Sequence, residues 1–188
     1  MLVEMTNVPP AAIPVARLKE HLRLGSGFAD DALQDGLLAG FLRAAMAAIE
    51  GRIGKALIAR DFRLARARAR GGMIALPLAP VGAVVEVARL DGKGGEMVLA
   101  PGEWRLEDDA HAPAIVMGAG LYRVDFSAGW GAAFGDLPDD LQQAVMLLAA
   151  HYYEYRHDVA LSAGCTPFGV SSLLERWHMP RLGGWGVA

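Results

Sequence analysis

The sequence predicts an α+β fold, with a helical core at about 14–56 and 138–178 and a small antiparallel β-sheet region at about 60–128 between the helices. Apolar residues recur at helical spacing near both ends of the chain, and short alternating runs fill the middle. The length of 188 residues matches one domain, so we expect a single domain over 1–188. Residues 179–188 are expected to form a flexible tail.

Two helices are predicted at the start of the chain. Pro14 suits the first turn of a helix that continues to about Leu24, and Gly25-Ser26-Gly27 interrupts the pattern. Asp30-Asp31 suit the cap and first turn of a second helix, which is predicted to stop at Gly54. One face of this long helix is predicted to carry Leu33, Leu37, Phe41, Ala44, Ala45 and Ala48, with Leu38, Leu42 and Ile49 broadening the apolar stripe.

Strands are predicted in the middle because short apolar runs there end at proline, glycine or aspartate. Arg60–Ala69 alternates between polar and apolar residues, and Asp91-Gly92 is a hairpin signal. Leu121–Ser127 alternates most clearly, so its aromatic and apolar side chains are expected on one face. The other predicted strands are Met73–Leu76, Val81–Leu90, Met97–Leu99, Trp104–Leu106 and Ala114–Val116.

A last long helix is predicted from Pro138, because proline and the acids after it suit a first turn. It is apolar nearly all round as far as His151, which is typical of a helix buried in a core or in an oligomer interface. The aromatic cluster that follows is typical of core packing or of a subunit interface, where Tyr and Arg are enriched. The candidate interface residues are Leu148, Tyr152, Glu154, Tyr155 and Arg156. A short helix is predicted near 171–177.

Composition and charge exclude several classes of protein. The single cysteine, Cys165, excludes an intramolecular disulfide framework and a cysteine-rich zinc site. Mean hydropathy is high at +0.26, but no apolar run approaches the roughly 20 residues that span a membrane. We therefore expect a soluble, intracellular protein without membrane contact. The net charge of −3 combines +4 over 1–72, −7 over 73–140 and zero over 141–188.

No arrangement of residues indicates an enzyme. The glycine groups match neither a phosphate-binding loop nor a dinucleotide fingerprint, and no nucleophile elbow is present. Asp108, Asp109 and His111 lie close together in a predicted loop and are the one candidate ion site, but a solvated acidic turn explains them better than metal binding does. We expect no catalytic residue, no metal and no cofactor.

Two further groups of residues are candidates for binding. In a strand, Arg66, Arg68 and Arg70 would point to one side. That row is consistent with a solvated edge strand, with contacts to nucleic-acid phosphates, or with pairing to the acidic segment of a neighbouring subunit. At the C-terminal end, Trp177, Arg181 and Trp185 have no predicted core to join, and Trp and Arg are typical anchors for a partner protein.

The ordered set of motifs resembles the head–tail connector, or adaptor, family of long-tailed double-stranded-DNA phages, including the adaptor of gene transfer agents. The resemblance covers about 14–178. It is carried by Leu76-Pro77-Leu78-Ala79-Pro80-Val81, Ser127-Ala128-Gly129-Trp130, Leu137-Pro138-Asp139-Asp140-Leu141-Gln142-Gln143-Ala144 and His151-Tyr152-Tyr153-Glu154-Tyr155-Arg156.

This resemblance implies a structural protein without catalysis. Family members form a ring, usually twelve-fold, that joins the portal to the stopper or tail, and double-stranded DNA passes through the lumen without sequence specificity. The family therefore implies a homo-oligomer assembled in the cytoplasm and then located at the head–tail junction of a phage-like particle. The tail at Trp177, Arg181 and Trp185 is expected to bind the portal. The alternative from the residues alone is a nucleic-acid-binding module that uses the arginine-rich strand 60–70.

Overall fold

The computed structural model describes residues 1–24, 31–157 and 167–178. Within these ranges the helices are α1 (Val15–His21), α2 (Asp31–Ile53), α3 (Asp139–Glu154) and α4 (Phe168–Leu174). The strands are β1 (Leu2–Glu4), β2 (Arg60–Arg68), β3 (Met73–Ala75), β4 (Val81–Leu90), β5 (Glu96–Val98), β6 (Trp104–Glu107), β7 (Ala114–Met117) and β8 (Leu121–Ala128). Short 3-10 helices lie at Pro10–Ala12, Phe134–Asp136 and Glu175–Trp177. The α+β prediction is confirmed.

The chain divides into two compact units that alternate along the sequence. The β unit consists of Met1–Ile13 and Lys55–Leu137, and the helical unit consists of Pro14–Gly54 and Pro138–Ala188. Each unit is therefore built from two stretches of the chain that are separated in sequence.

The β unit contains a five-stranded antiparallel sheet in the order β1-β2-β8-β4-β5. Phe62 on β2 lies opposite Phe126 on β8, and their stacked rings have centroids 5.8 Å apart. Val87 and Val124 continue this buried face, so the alternation predicted over Leu121–Ser127 is confirmed. Strand β1 was not predicted, because three residues are too few for a period of two to be recognised.

A second sheet of three short strands, in the order β3-β7-β6, completes the β unit. Its central row joins Ile74, Ile115 and Leu106. The last row joins Ala75, Ala114 and Glu107, and the chain between β6 and β7 leaves the sheet beyond that row. The two sheets together form the antiparallel β-sheet region that the sequence predicts.

A β-bulge interrupts β2 between Leu64 and Ala67. Arg66 lies inside it with a φ of 56°, in the left-handed region that residues other than glycine seldom adopt. A bulge inserts an extra residue into one strand, so the faces of the following residues are exchanged. Before the bulge Phe62 points to the core, and after it Ala69 does, so the uninterrupted alternation predicted for 60–69 was wrong.

In the helical unit α3 is the central helix, because it packs against α1, α2 and α4. Packing within the helical unit therefore explains why the surface of α3 is apolar nearly all round. None of the described helices is both long and apolar enough to cross a membrane. The buried residues of α3 are Leu141, Gln142, Ala144, Val145, Met146, Leu148, Ala149 and Ala150.

Helix α2 begins and ends as predicted but buries a different face. Of the residues predicted to mark one apolar face, Ala45 is buried but Leu37, Ala44 and Ala48 are exposed. The residues expected only to broaden the stripe are buried. Alanine, glycine and leucine occur all round this helix, so periodicity did not distinguish its two sides. The buried face consists of Leu38, Leu42, Ala45, Met46, Ile49 and Ile53.

Candidate assembly surfaces

Arg66, Arg68 and Arg70 are exposed but do not form the straight row that the sequence predicts. Arg66 lies in the bulge, Arg68 ends β2, and Arg70 lies beyond the strand, where it bridges Met73 across a turn. Gly71 and Gly72 both have positive φ in that turn. No carboxylate among the residues that the structure describes pairs with any of these three guanidinium groups, which we call the arginine group.

Five charged residues on β2, β4, β5 and β8 of the large sheet form a network of ion pairs. Arg63 donates from Nε and Nη2 to the two carboxylate oxygens of Asp125, at 2.8 and 2.7 Å. Arg123 donates to Asp125, Glu86 and Glu96 at 2.5, 2.5 and 2.9 Å, and its side chain is only 12% exposed. The hydrogen bond from Arg63 and the charge of Arg123 hold the pKa of Asp125 below its usual value. The positive charge of the arginine group is therefore not cancelled within its own sheet.

The chain between β6 and β7, residues 108–113, forms what we call the acidic loop. Asp109 Oδ1 accepts hydrogen bonds from the backbone N–H groups of His111 and Ala112, both at 2.8 Å, and these bonds lower the pKa of Asp109. Asp108 is exposed and forms no ion pair or hydrogen bond with another described residue. The loop thus presents fixed carboxylates to solvent.

Lys55 fixes this loop from inside the β unit. Its side chain is buried, and Nζ donates to the carbonyl oxygen of Ala110. Burial lowers the pKa of Lys55, although the nearby charge of Asp109 partly opposes that effect. The described residues contain no group of three histidine, cysteine or carboxylate side chains able to hold a metal ion. Here Asp109 orders the loop backbone, a role that requires no metal.

The predicted interface residues on α3 do not all reach the surface. Leu148 is only 2% exposed and belongs to the core of the helical unit, so it leaves the candidate set. Tyr152 is half-buried, and burial raises the pKa of its hydroxyl. The exposed residues are at the end of the helix, where Tyr155 is 47% exposed and its ring lies 4.7 Å from that of His151.

Two more residues extend the exposed surface at the end of α3. Glu154 is exposed, and Arg156 places its guanidinium 4.5 Å from the centre of the Tyr153 ring. Arg156 also donates to the carbonyl oxygen of Tyr153 at 2.7 Å. These contacts, together with that of Tyr155 with His151, hold the exposed side chains of Tyr155 and Arg156 in place before any partner binds.

Trp177 is bound to its own chain rather than free in a tail. Its Nε1 donates to Asp140 Oδ2 at 2.7 Å, and Arg176 Nε lies 2.7 Å from the same oxygen. Asp140 is in the first turn of α3, where a carboxylate is also stabilised by the helix dipole. Trp177 is thus held by a contact within its own chain, and its proposed binding to a partner stays a prediction. Arg181 and Trp185 lie outside the described residues.

One exposed aromatic residue, Phe168, was not among the candidates predicted from the sequence. Phe168, the first residue of α4, is 89% exposed and borders a cleft of about 340 Å³. The available signal was a lone aromatic after Pro167 without apolar neighbours at helical spacing. The other residues around the cleft are Arg52, Ser171, Ser172, Leu174, Glu175 and His178.

Comparison with solved structures gives near-full-length matches. The neck of an empty gene transfer agent (GTA) particle computed with C6 symmetry contains a chain of 48% identity, with a TM-score of 0.84 and 98% of each chain covered. The virion of a native GTA particle contains one of 49% identity at a TM-score of 0.82, again over 98% of each chain. The neck of a native GTA particle computed with C12 symmetry contains one of 46% identity at a TM-score of 0.79 and the same coverage. This chain belongs to the GTA neck proteins.

The match confirms the connector resemblance and favours its gene-transfer-agent branch. The relatives are structural components of the particle neck, and the neck protein described here has a structural connector role in that family. No protein-family model and no curated protein matches this chain.

Proposed function

We propose that this neck protein is an adaptor that forms a homo-oligomeric ring, of twelve copies, between the portal and the stopper or tail of the particle. The observation that carries the proposal is the near-full-length similarity to neck structures computed with six-fold and twelve-fold symmetry. Such symmetry is generated by identical copies around an axis, and each copy then contacts its neighbours through two different surfaces. Double-stranded DNA passes through the lumen without sequence specificity.

Part of the subunit contact is assigned to the exposed end of α3. Tyr155 and Arg156 are of the types enriched at protein interfaces, and Glu154 adds a charge of the opposite sign. The contacts of Tyr155 with His151 and of Arg156 with Tyr153 reduce the freedom that these side chains would lose on binding. This surface supports the ring without requiring the buried Leu148.

Portal binding is assigned to the C-terminal residues that follow Trp177. Because Trp177 is hydrogen-bonded to Asp140, the binding segment begins after it and contains Arg181 and Trp185. A large aromatic and an arginine are frequent energetic anchors of protein interfaces. The neck protein is expected to fold in the cytoplasm and to reach the head–tail junction when this segment binds the portal.

Light scattering of the protein alone and mixed with its portal tests this function. We expect the full chain to form a ring or a portal complex, and the chain lacking residues 179–188 to fold normally but to lose portal binding. Trp185→Ala should reproduce that loss, whereas the matched control Val187→Ala should not. A full chain that stays monomeric and never binds portal would overturn the adaptor function.

Nucleic-acid binding through strand 60–70 is the second candidate, and the unpaired arginine group is the observation in its favour. Arg60 and Arg63, however, are paired with Glu4 and Asp125, which leaves fewer cations for phosphates than the sequence suggests. A salt titration of DNA affinity separates the candidates, since the slope follows the number of phosphates neutralised. The adaptor function requires weak binding to DNA. Tight binding whose affinity falls steeply with salt concentration favours the nucleic-acid-binding module.

A further inference from the structure

The β unit carries exposed charge of opposite sign at two separate places, the arginine group and the acidic end of the three-stranded sheet. At the acidic end Glu107 forms an exposed ion pair with Arg105 of its own strand at 2.9 Å, whereas Asp108 pairs with no described residue. In the three-stranded sheet, Arg70 bridges Met73, which is in the first row of pairs with Val116. The acidic loop begins beyond the last row, after Glu107. Arg70 and the acidic loop therefore lie at opposite ends of this sheet, and no ion pair joins the arginine group to the loop among the described residues of one copy.

Both places are exposed and fixed by the local backbone. Arg66 is held in a bulge, and the turn that follows Arg70 contains two glycines with positive φ. The acidic loop is fixed by Lys55 and by the hydrogen bonds that Asp109 accepts. A backbone that is already fixed loses little loop entropy when its side chains meet a partner.

We propose that the arginine group of one copy binds the acidic end of the three-stranded sheet in the next copy of the ring, where Glu107, at the end of β6, and Asp108, in the acidic loop, are the facing carboxylates. This inference rests on the proposed ring. A head-to-tail interface requires two different, complementary surfaces on every copy, and these two surfaces meet that requirement in sign and in position. Contact with DNA alone would leave the acidic loop without a partner.

The size of the expected effect follows from exposure. Exposed ion pairs each contribute little, so this contact sets the orientation of neighbouring copies and the rate of their association more than the stability of the ring. Two such pairs together correspond to about a fivefold change in the protein concentration needed for half-assembly, and charge reversal, which replaces attraction by repulsion, should give a larger change. Salt should weaken the contact, because it screens exposed charges.

Two charge-reversed variants test the contact. The arginine variant carries Arg66→Glu, Arg68→Glu and Arg70→Glu, and the loop variant carries Glu107→Lys and Asp108→Lys, while Asp109 stays because it orders the loop. Each variant alone should assemble at least about tenfold less readily than the natural chain. An equimolar mixture should recover assembly, with the two proteins alternating in the ring, as measured by native mass spectrometry.

Recovery in the mixture also shows that both variants are folded. Arg23→Glu, a reversal on an exposed arginine of the helical unit, is the control and should assemble as the natural chain does. A ring that survives the arginine variant unchanged overturns the contact but leaves the adaptor function intact, and loss of DNA affinity in that variant would assign the group to phosphates. A natural chain that forms no ring, alone or with portal, overturns both proposals.

Discussion

The indole Nε1 of Trp177 lies 2.7 Å from Oδ2 of Asp140, a bond that joins the last described residues of the chain to the first turn of α3. The fold of the helical unit therefore extends to Trp177. A truncation that begins at residue 177 removes a structural contact as well as the proposed portal-binding segment, so only a truncation after His178 separates the two effects.

Replacing Trp177 should destabilise the helical unit modestly. Trp177→Phe keeps an aromatic ring but removes the donor to Asp140, and a hydrogen bond to a charged acceptor contributes about 1.5–3 kcal/mol, less when it is partly exposed. We expect the free energy of unfolding in urea to fall by about 1 kcal/mol. Asp139→Asn, on the neighbouring exposed acid, is the control, and an equal loss there would contradict this role for Trp177.

Asp125 should make the protein sensitive to acid. Its pKa is lowered in the folded state, first by the hydrogen bond from Arg63, so the unfolded chain takes up the proton more readily. The stabilisation is present above the unfolded pKa of about 3.9 and is lost as the pH falls through the folded pKa.

We expect Asp125→Asn to give a shallower fall in the free energy of unfolding below about pH 4 than the natural chain shows. Some acid sensitivity should remain, because the pKa values of Asp91 and Asp109 are lowered too. Asp61→Asn, on an exposed residue of the same strand as Arg63, serves as the control. Identical pH curves for the natural chain and Asp125→Asn would count against this ion-pair network.

Lys55 should give the opposite pH dependence, on the alkaline side. Burial lowers its pKa in the folded state, so between the folded pKa and the unfolded value of about 10.4 the unfolded chain binds more protons. The free energy of unfolding should therefore rise with pH through that window. Lys55→Met should abolish the rise, and the exposed Lys93→Met should retain it. The measurement is urea unfolding between pH 8 and 10.

Gly129 should tolerate no side chain. Its φ is 133°, and an added Cβ would lie 2.5 Å from the Cα of Ala59 and would overlap the Ala59 nitrogen. Backbone strain and steric overlap together cost about 3 kcal/mol or more. We expect Gly129→Ala to lower the melting temperature strongly or to prevent folding, while Gly135→Ala, whose Cβ would meet nothing within 4 Å, stays close to the natural chain. Similar melting temperatures for both would refute this packing.

The sequence predicted the order and type of most elements because their signals are local. The alternation over Leu121–Ser127, the Asp91-Gly92 turn and the Pro138 helix start each depend on residues close together in the chain. The face that an element buries, and the elements that it packs against, depend instead on residues distant in the sequence. The prediction of the buried side of α2 was partly wrong because apolar residues occupy both sides of the helix. The bulge at Arg66 was missed because it left no periodic signal in the sequence.

The sequence predicted which types of residue form the candidate surfaces, but not which other residues cover or contact them. Nothing near Leu148 in the sequence distinguishes core from interface, since helices distant in sequence cover it. Lys55 and Ala110 are far apart in the sequence, so the fixing of the acidic loop could not be inferred. The relation between the arginine group and that loop depends on strand register, which only the fold provides.

The alternation of the two units along the sequence determines the order in which the chain can mature during translation. Helices α1 and α2 leave the ribosome long before α3, the helix against which both pack. Their apolar faces toward α3 therefore stay uncovered while residues 55–137 of the β unit are synthesised. Strand β1 likewise waits for β2. Apolar side chains of α2 are therefore open to a chaperone that binds nascent helices during that interval, and they are covered only after α3 has left the ribosome.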